Sequence, residues 1–154
     1  MTMTVLLALH IVAATIWVGG MFFAYVVLRP AVAGIEPPPE RVKLWRRVFD
    51  RFFTYVSLSV LALLASGYGM LFIGFGGFAG AGAYIHIMHL TGLVMFLAYG
   101  HLRFAAWPKF RKAVDADDFE QAGRRLGLIR KIVAVNLALG WITVIVGSTG
   151  RYWP

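Results

Sequence analysis

The sequence predicts an all-α protein: an integral membrane, antiparallel four-helix bundle with both termini on the periplasmic side. Three observations predict it. Hydrophobic residues make up 60% of the chain and charged residues only 14%, too few charges to cover a soluble surface of this size. Four stretches, at about 4–28, 52–73, 84–107 and 132–149, reach the ~18 apolar residues a spanning helix needs. Their one formal charge is Arg103, close enough to a helix end to snorkel. Finally, every Lys and Arg except Arg151 falls between the first and second stretches or between the end of the third and the fourth. The positive-inside rule assigns those connections to the cytoplasm. The location that follows is a bacterial inner membrane, with residues 1–154 forming one transmembrane unit.

In chain order, no basic residue precedes the first span and Arg29 follows it directly. Ala31-Val32-Ala33 resembles a signal-peptide cleavage site, but the run is about 25 residues long and lacks a basic leader, which fits a retained helix. Pro30 is expected to halt it. Glu36-Pro37-Pro38-Pro39 reads as a stiff turn. Residues 40–51 place Val42, Trp45, Val48 and Phe49 on one face opposite the basic residues, the pattern of an interfacial amphipathic helix. After the second span, residues 74–82 form a glycine-rich outer loop. No Lys or helix-opening Ser or Thr follows it, so it is a tight turn and not a phosphate cradle. This loop makes the second and third spans antiparallel neighbours. The third span is expected to stop at Trp107-Pro108. Asp117 and Glu120 have capping-box spacing for a helix that runs through residues 124–131 into the fourth span.

The formal net charge is +8. Topology and anionic lipid head groups already account for it, so membrane lipid is the expected partner and nucleic acid is not. Cysteine is absent, which removes disulfides, thiolate ligands and covalent haem attachment.

The histidines carry the functional reading. At about 1.5 Å per residue, His10 lies roughly 9 Å below the outer boundary, His86 roughly 3 Å and His89 roughly 8 Å. An imidazole at that depth needs a proton partner, a metal or a porphyrin iron, because lipid offers it none. Two histidines from different helices at one depth suit a bis-histidine haem b, with His10 and His89 as axial ligands and His86 in reserve. Ala13, Ala14, Gly67, Gly69, Gly92 and Gly147 supply small surfaces. Trp17 shares the face of His10, and Arg151 is the one outer cation available to a propionate. Such a protein would pass electrons between the quinone pool and a periplasmic redox partner. A homo-oligomer is an alternative source of ligands. The same imidazoles, with Met1, Met3, Met70 and Met88 near the outer face, also suit copper, as Cu(I). Against both stands a structural role, in which the histidines bond backbone or hydroxyl groups and the small residues pack helices. His101 lies roughly 18 Å from His89 and belongs to neither site.

The run Leu9-His10-Ile11-Val12-Ala13-Ala14-Thr15-Ile16-Trp17-Val18-Gly19-Gly20-Met21-Phe22-Phe23, with Leu28-Arg29-Pro30 and the later Tyr99-Gly100-His101, resembles the copper-resistance protein D (CopD) group and the related HemJ-type membrane proteins. The CopD resemblance implies copper handling across the inner membrane. The HemJ resemblance implies a b-type haem and oxidation of protoporphyrinogen IX. In that case His10 matches the first-helix histidine and His101 the histidine ending the third helix. His89 stands where the HemJ pattern has a lysine.

Overall fold

Four long helices, joined by short connections, make up the computed structural model, which describes residues 1–153. They are α1 (Thr2–Ala33), α2 (Pro38–Gly74), α3 (Ala83–Asp115) and α4 (Phe119–Tyr152), and each is long and apolar enough to cross a membrane. The all-helical expectation holds, with no strand among the described residues.

The helices run further than the apolar stretches. At 37 residues, α2 is roughly 55 Å long, against a hydrocarbon core of about 30 Å. Residues 40–51, expected as an amphipathic helix feeding into the second span, are the opening turns of α2. Their apolar face, with Val42, Trp45 and Phe49 buried, meets the other helices and not the lipid interface. The two proline stops also fail, for a shared reason. Residues 23–28 form a π-helical turn just before Pro30, and residues 102–106 form another just before Pro108. A proline ring clashes with the carbonyl four residues back. Those carbonyls, of Val26 and Phe104, lie inside the widened turns, so each helix passes its proline and continues.

Two of the three connections turn on residues with positive φ. Gly76 and Gly77 adopt positive φ (66° and 96°) in the loop between α2 and α3, a conformation that glycine adopts without steric cost. Between α3 and α4 the capping residue is displaced by one position from the sequence expectation. Asp117 has φ 54° and ends the turn, so Asp118 becomes the cap. Asp118 accepts a hydrogen bond from the Gln121 backbone N–H at 3.0 Å and another from its side-chain amide at 3.2 Å.

Packing is closest within two antiparallel pairs, α1 with α2 and α3 with α4. Small residues set both seams. Met3, Leu6 and His10 lie against Gly74, Gly69 and Gly67; Tyr84 and Met88 lie against Gly150 and Gly147. Such seams let helices approach in lipid, where van der Waals packing replaces the hydrophobic effect. Three of the glycines expected to make room for a ligand are thus filled by side chains, and Gly92 alone of that group is open.

The pairs join through rings and hydroxyls. Phe22 meets Trp141 edge-on at 6.2 Å. The Tyr99 hydroxyl donates to the Phe53 carbonyl at 2.9 Å and lies 2.8 Å from the Ser57 hydroxyl. Side-chain burial is concentrated toward the end that carries the basic connections. There Trp45, Phe49, Phe53, Trp107 and Phe110 form one aromatic cluster, with Ile129 and Ala122 of α4 fully enclosed beside it. At the glycine-loop end, no residue of α3 before Met95 is buried.

Candidate functional site

His10 is held on the α1–α2 seam. Gly67 has no side chain, which lets the imidazole approach the α2 backbone; a Cβ there would stand 3.3 Å from His10 Cε1. The His10 Nδ1 lies 2.9 Å from the hydroxyl of Ser66, which is fully buried and itself donates to the Ala62 carbonyl at 2.6 Å. Ser66 has a single hydroxyl proton. Both bonds form together when His10 Nδ1–H donates to Ser66, and that tautomer leaves the Nε2 lone pair of His10 free.

His89 occupies a different environment. Its Nε2 lies 3.0 Å from the Tyr68 hydroxyl, and the Phe78 ring stands edge-on to it at 5.0 Å. His86, one turn nearer the loop and exposed, stacks on Phe78 with ring centroids 6.0 Å apart. Two imidazoles from successive turns of α3 thus converge on one aromatic ring from the short helix Phe78–Gly80.

The partners fix the relative placement of the imidazoles. Ser66 and Tyr68 are two residues apart on α2, about 3 Å in depth, which agrees with the equal depth expected for His10 and His89. Two residues are also about 200° of rotation, so the two histidines engage opposite faces of α2. The structure brings His86 and His89 together and sets His10 behind α2. No group of three His, Cys, Asp or Glu side chains converges among the described residues.

The remaining candidates are placed elsewhere. Trp17 is buried in the core, stacked on Phe96 at 5.6 Å and edge-on to Tyr99 at 5.8 Å. Arg151 is exposed, with its guanidinium over the Tyr152 ring at 5.1 Å. His101 is exposed toward the opposite end. Sequence reasoning missed Ser66, Tyr68 and Phe78. A signal for the first two existed, a pair of hydroxyls two residues apart in an apolar span.

The sequence profile of the family described as Copper resistance protein D matches residues 46–149. The chain belongs to the CopD family. The match begins inside α2, so it takes in His86, His89 and His101 and leaves out α1 with His10. A CopD-family assignment therefore does not rest on the first-helix run that first suggested it. The chain is also 28% identical over 143 residues to an uncharacterized protein of Aquifex aeolicus (strain VF5), covering 92% of this chain and 94% of that one. No solved structure matches it. Membership of the CopD family makes this a multi-pass membrane protein of a group associated with copper resistance.

Proposed function

We propose that the protein handles copper at the outer face of a bacterial inner membrane, binding Cu(I) through His86 and His89. The observation that carries this reading is the convergence of those two imidazoles on Phe78. They sit at the least packed end of a bundle whose family is named for copper resistance. Imidazole and thioether suit Cu(I), and a loosely packed helix end can adjust to the ion's low coordination number. Tyr68 orients His89 as a hydrogen-bond partner outside the ligand shell. His10, on the other side of α2 against Ser66, is not a ligand of this ion. The distribution of Lys and Arg supports both termini being periplasmic.

A haem b reading rests on a different observation. The backbones of α2 and α3 rarely approach closely and are bridged by long side chains, as in Tyr68–His89 and Ser57–Tyr99. A macrocycle needs such spacing to enter a bundle. In this reading His10 offers its free Nε2, and electrons pass between quinone and a periplasmic partner, or a porphyrinogen is oxidised.

One preparation separates the two. Purified protein is titrated anaerobically with Cu(I) against a chromophoric competitor, and its dithionite-reduced minus oxidised absorbance spectrum is recorded. We expect Cu(I) binding that weakens at least about tenfold in His86→Ala and in His89→Ala, with no haem bands. Sharp reduced Soret and alpha bands lost in His10→Ala would replace the copper reading with the haem one. Cu(I) binding unaffected by either α3 substitution would overturn the ligand assignment.

A further inference from the structure

Away from the histidines, the basic end of α3 carries an open cleft of about 530 Å³, lined by Arg103, Trp107, Pro108, Arg111, Lys112 and Asp115. Trp107 and Pro108 form its apolar wall, and its charged groups reach solvent. Arg111 and Asp115 are about half exposed at the side chain, Lys112 is exposed and Arg103 partly so. An anion can therefore touch them without any movement of the bundle.

The charge balance in the cleft is one-sided. Its lining carboxylate, Asp115, is already held from α2, where Arg46 Nε donates to Oδ1 at 3.1 Å and a second Arg46 nitrogen donates to Oδ2 at 3.4 Å. Arg111 stands 3.6 Å from the same carboxylate. Arg46 thus offsets the Asp115 charge, and three cations remain in the lining. Among the described residues neither Arg103 nor Lys112 lies within ion-pair distance of a carboxylate. The Arg103 guanidinium lies over the ring of its neighbour Phe104 at 5.9 Å. Like charges gathered on one wall repel one another, and a bound anion relieves that repulsion.

We propose that this cleft binds the phosphate of an anionic phospholipid in the inner leaflet, with Arg103, Arg111 and Lys112 donating to its oxygens. Depth along the helix favours a lipid source. Arg103 lies within the apolar stretch 84–107, whereas Lys112 is nine residues further on, about 13 Å along the axis. A head-group layer is about 5–8 Å thick on each side of a bilayer. The cations therefore bracket it, one from the hydrocarbon side and two from the water side. Phe104, 80% exposed beside Arg103, offers an acyl chain a ring to lie against. Basic clusters at the cytoplasmic end of a span attract anionic lipid in this way. The proposal is independent of the copper reading.

The test uses the purified full-length chain in detergent, offered phosphatidylglycerol, phosphatidylcholine or inorganic phosphate. Retained lipid is counted by native mass spectrometry, and melting is followed in parallel. Phosphatidylglycerol retention should exceed phosphatidylcholine retention and fall about fivefold in Arg103→Gln and in Lys112→Gln. Lys109→Gln should leave it unchanged, because Lys109 is an exposed cation of the same helix that does not line the cleft. If Arg103→Gln fails to fold, Lys112→Gln, at an exposed position, carries the measurement. Stabilisation by inorganic phosphate with no preference between the lipids, lost in the same variants, would support the site with free phosphate as its occupant. Equal retention of both lipids without a phosphate response would overturn it. So would an equal loss in Lys109→Gln, since general surface charge would then explain the binding.

Discussion

The imidazole of His10 shows what one hydroxyl can decide. Ser66 accepts from Nδ1–H because its own proton goes to the Ala62 carbonyl, and a ligand-ready Nε2 follows. Ser66→Ala should therefore release the tautomer as well as weaken the seam. We expect a stability loss of about 0.6 kcal/mol, the average for side-chain hydrogen bonds between membrane helices. The ring nitrogens of His10 should change from a single Nδ1–H form to a mixture in 15N NMR spectra; an unchanged tautomer would remove Ser66 as its cause. The equal depth of His10 and His89 was legible in the sequence, because rise per residue is constant along a helix. Their placement on opposite faces of α2 was not. It depends on which neighbour each helix packs against, and an apolar span surrounded by lipid carries little periodic signal to reveal that.

Helix ends divide in the same way. The four crossings are written in hydropathy and needed no structure to find. The passage of α1 through Pro30 and of α3 through Pro108 required the preceding π turns, and no local propensity announces those. The cap of α4 moved by one residue because Asp117 takes positive φ, a property of the corner as a whole. Asp118→Ala should cost about 0.5–2 kcal/mol by loss of the cap. Asp117→Gly should be neutral or stabilising, since glycine relieves the left-handed conformation. Thermal melting of the two variants checks this directly, and the reverse order would restore Asp117 as the cap.

Across the whole molecule, packing is unevenly shared. The basic end joins Trp45, Phe49, Phe110 and Ile129 in one enclosed core. It lies where the long helices outrun the bilayer, so burial from water adds stability there, about 1.5–3 kcal/mol for each large apolar side chain. The glycine-loop end has no comparable core. Local opening free energies follow such differences in buried contact. Backbone amides of residues 83–94 should exchange with deuterium sooner than those of residues 95–114 in the same detergent-solubilised helix. Uniform protection along α3 would contradict the gradient.

That unevenness separates the part of the chain that secures the fold from the part that carries His86 and His89. Substitutions around Phe78 and the first turns of α3 leave the aromatic core untouched and spend little of the protein's stability. The scaffold is thus free to change its chemistry at one end while inheriting its shape from the other. A lineage built on it can diverge in the ion or cofactor it handles without first having to solve the folding problem again.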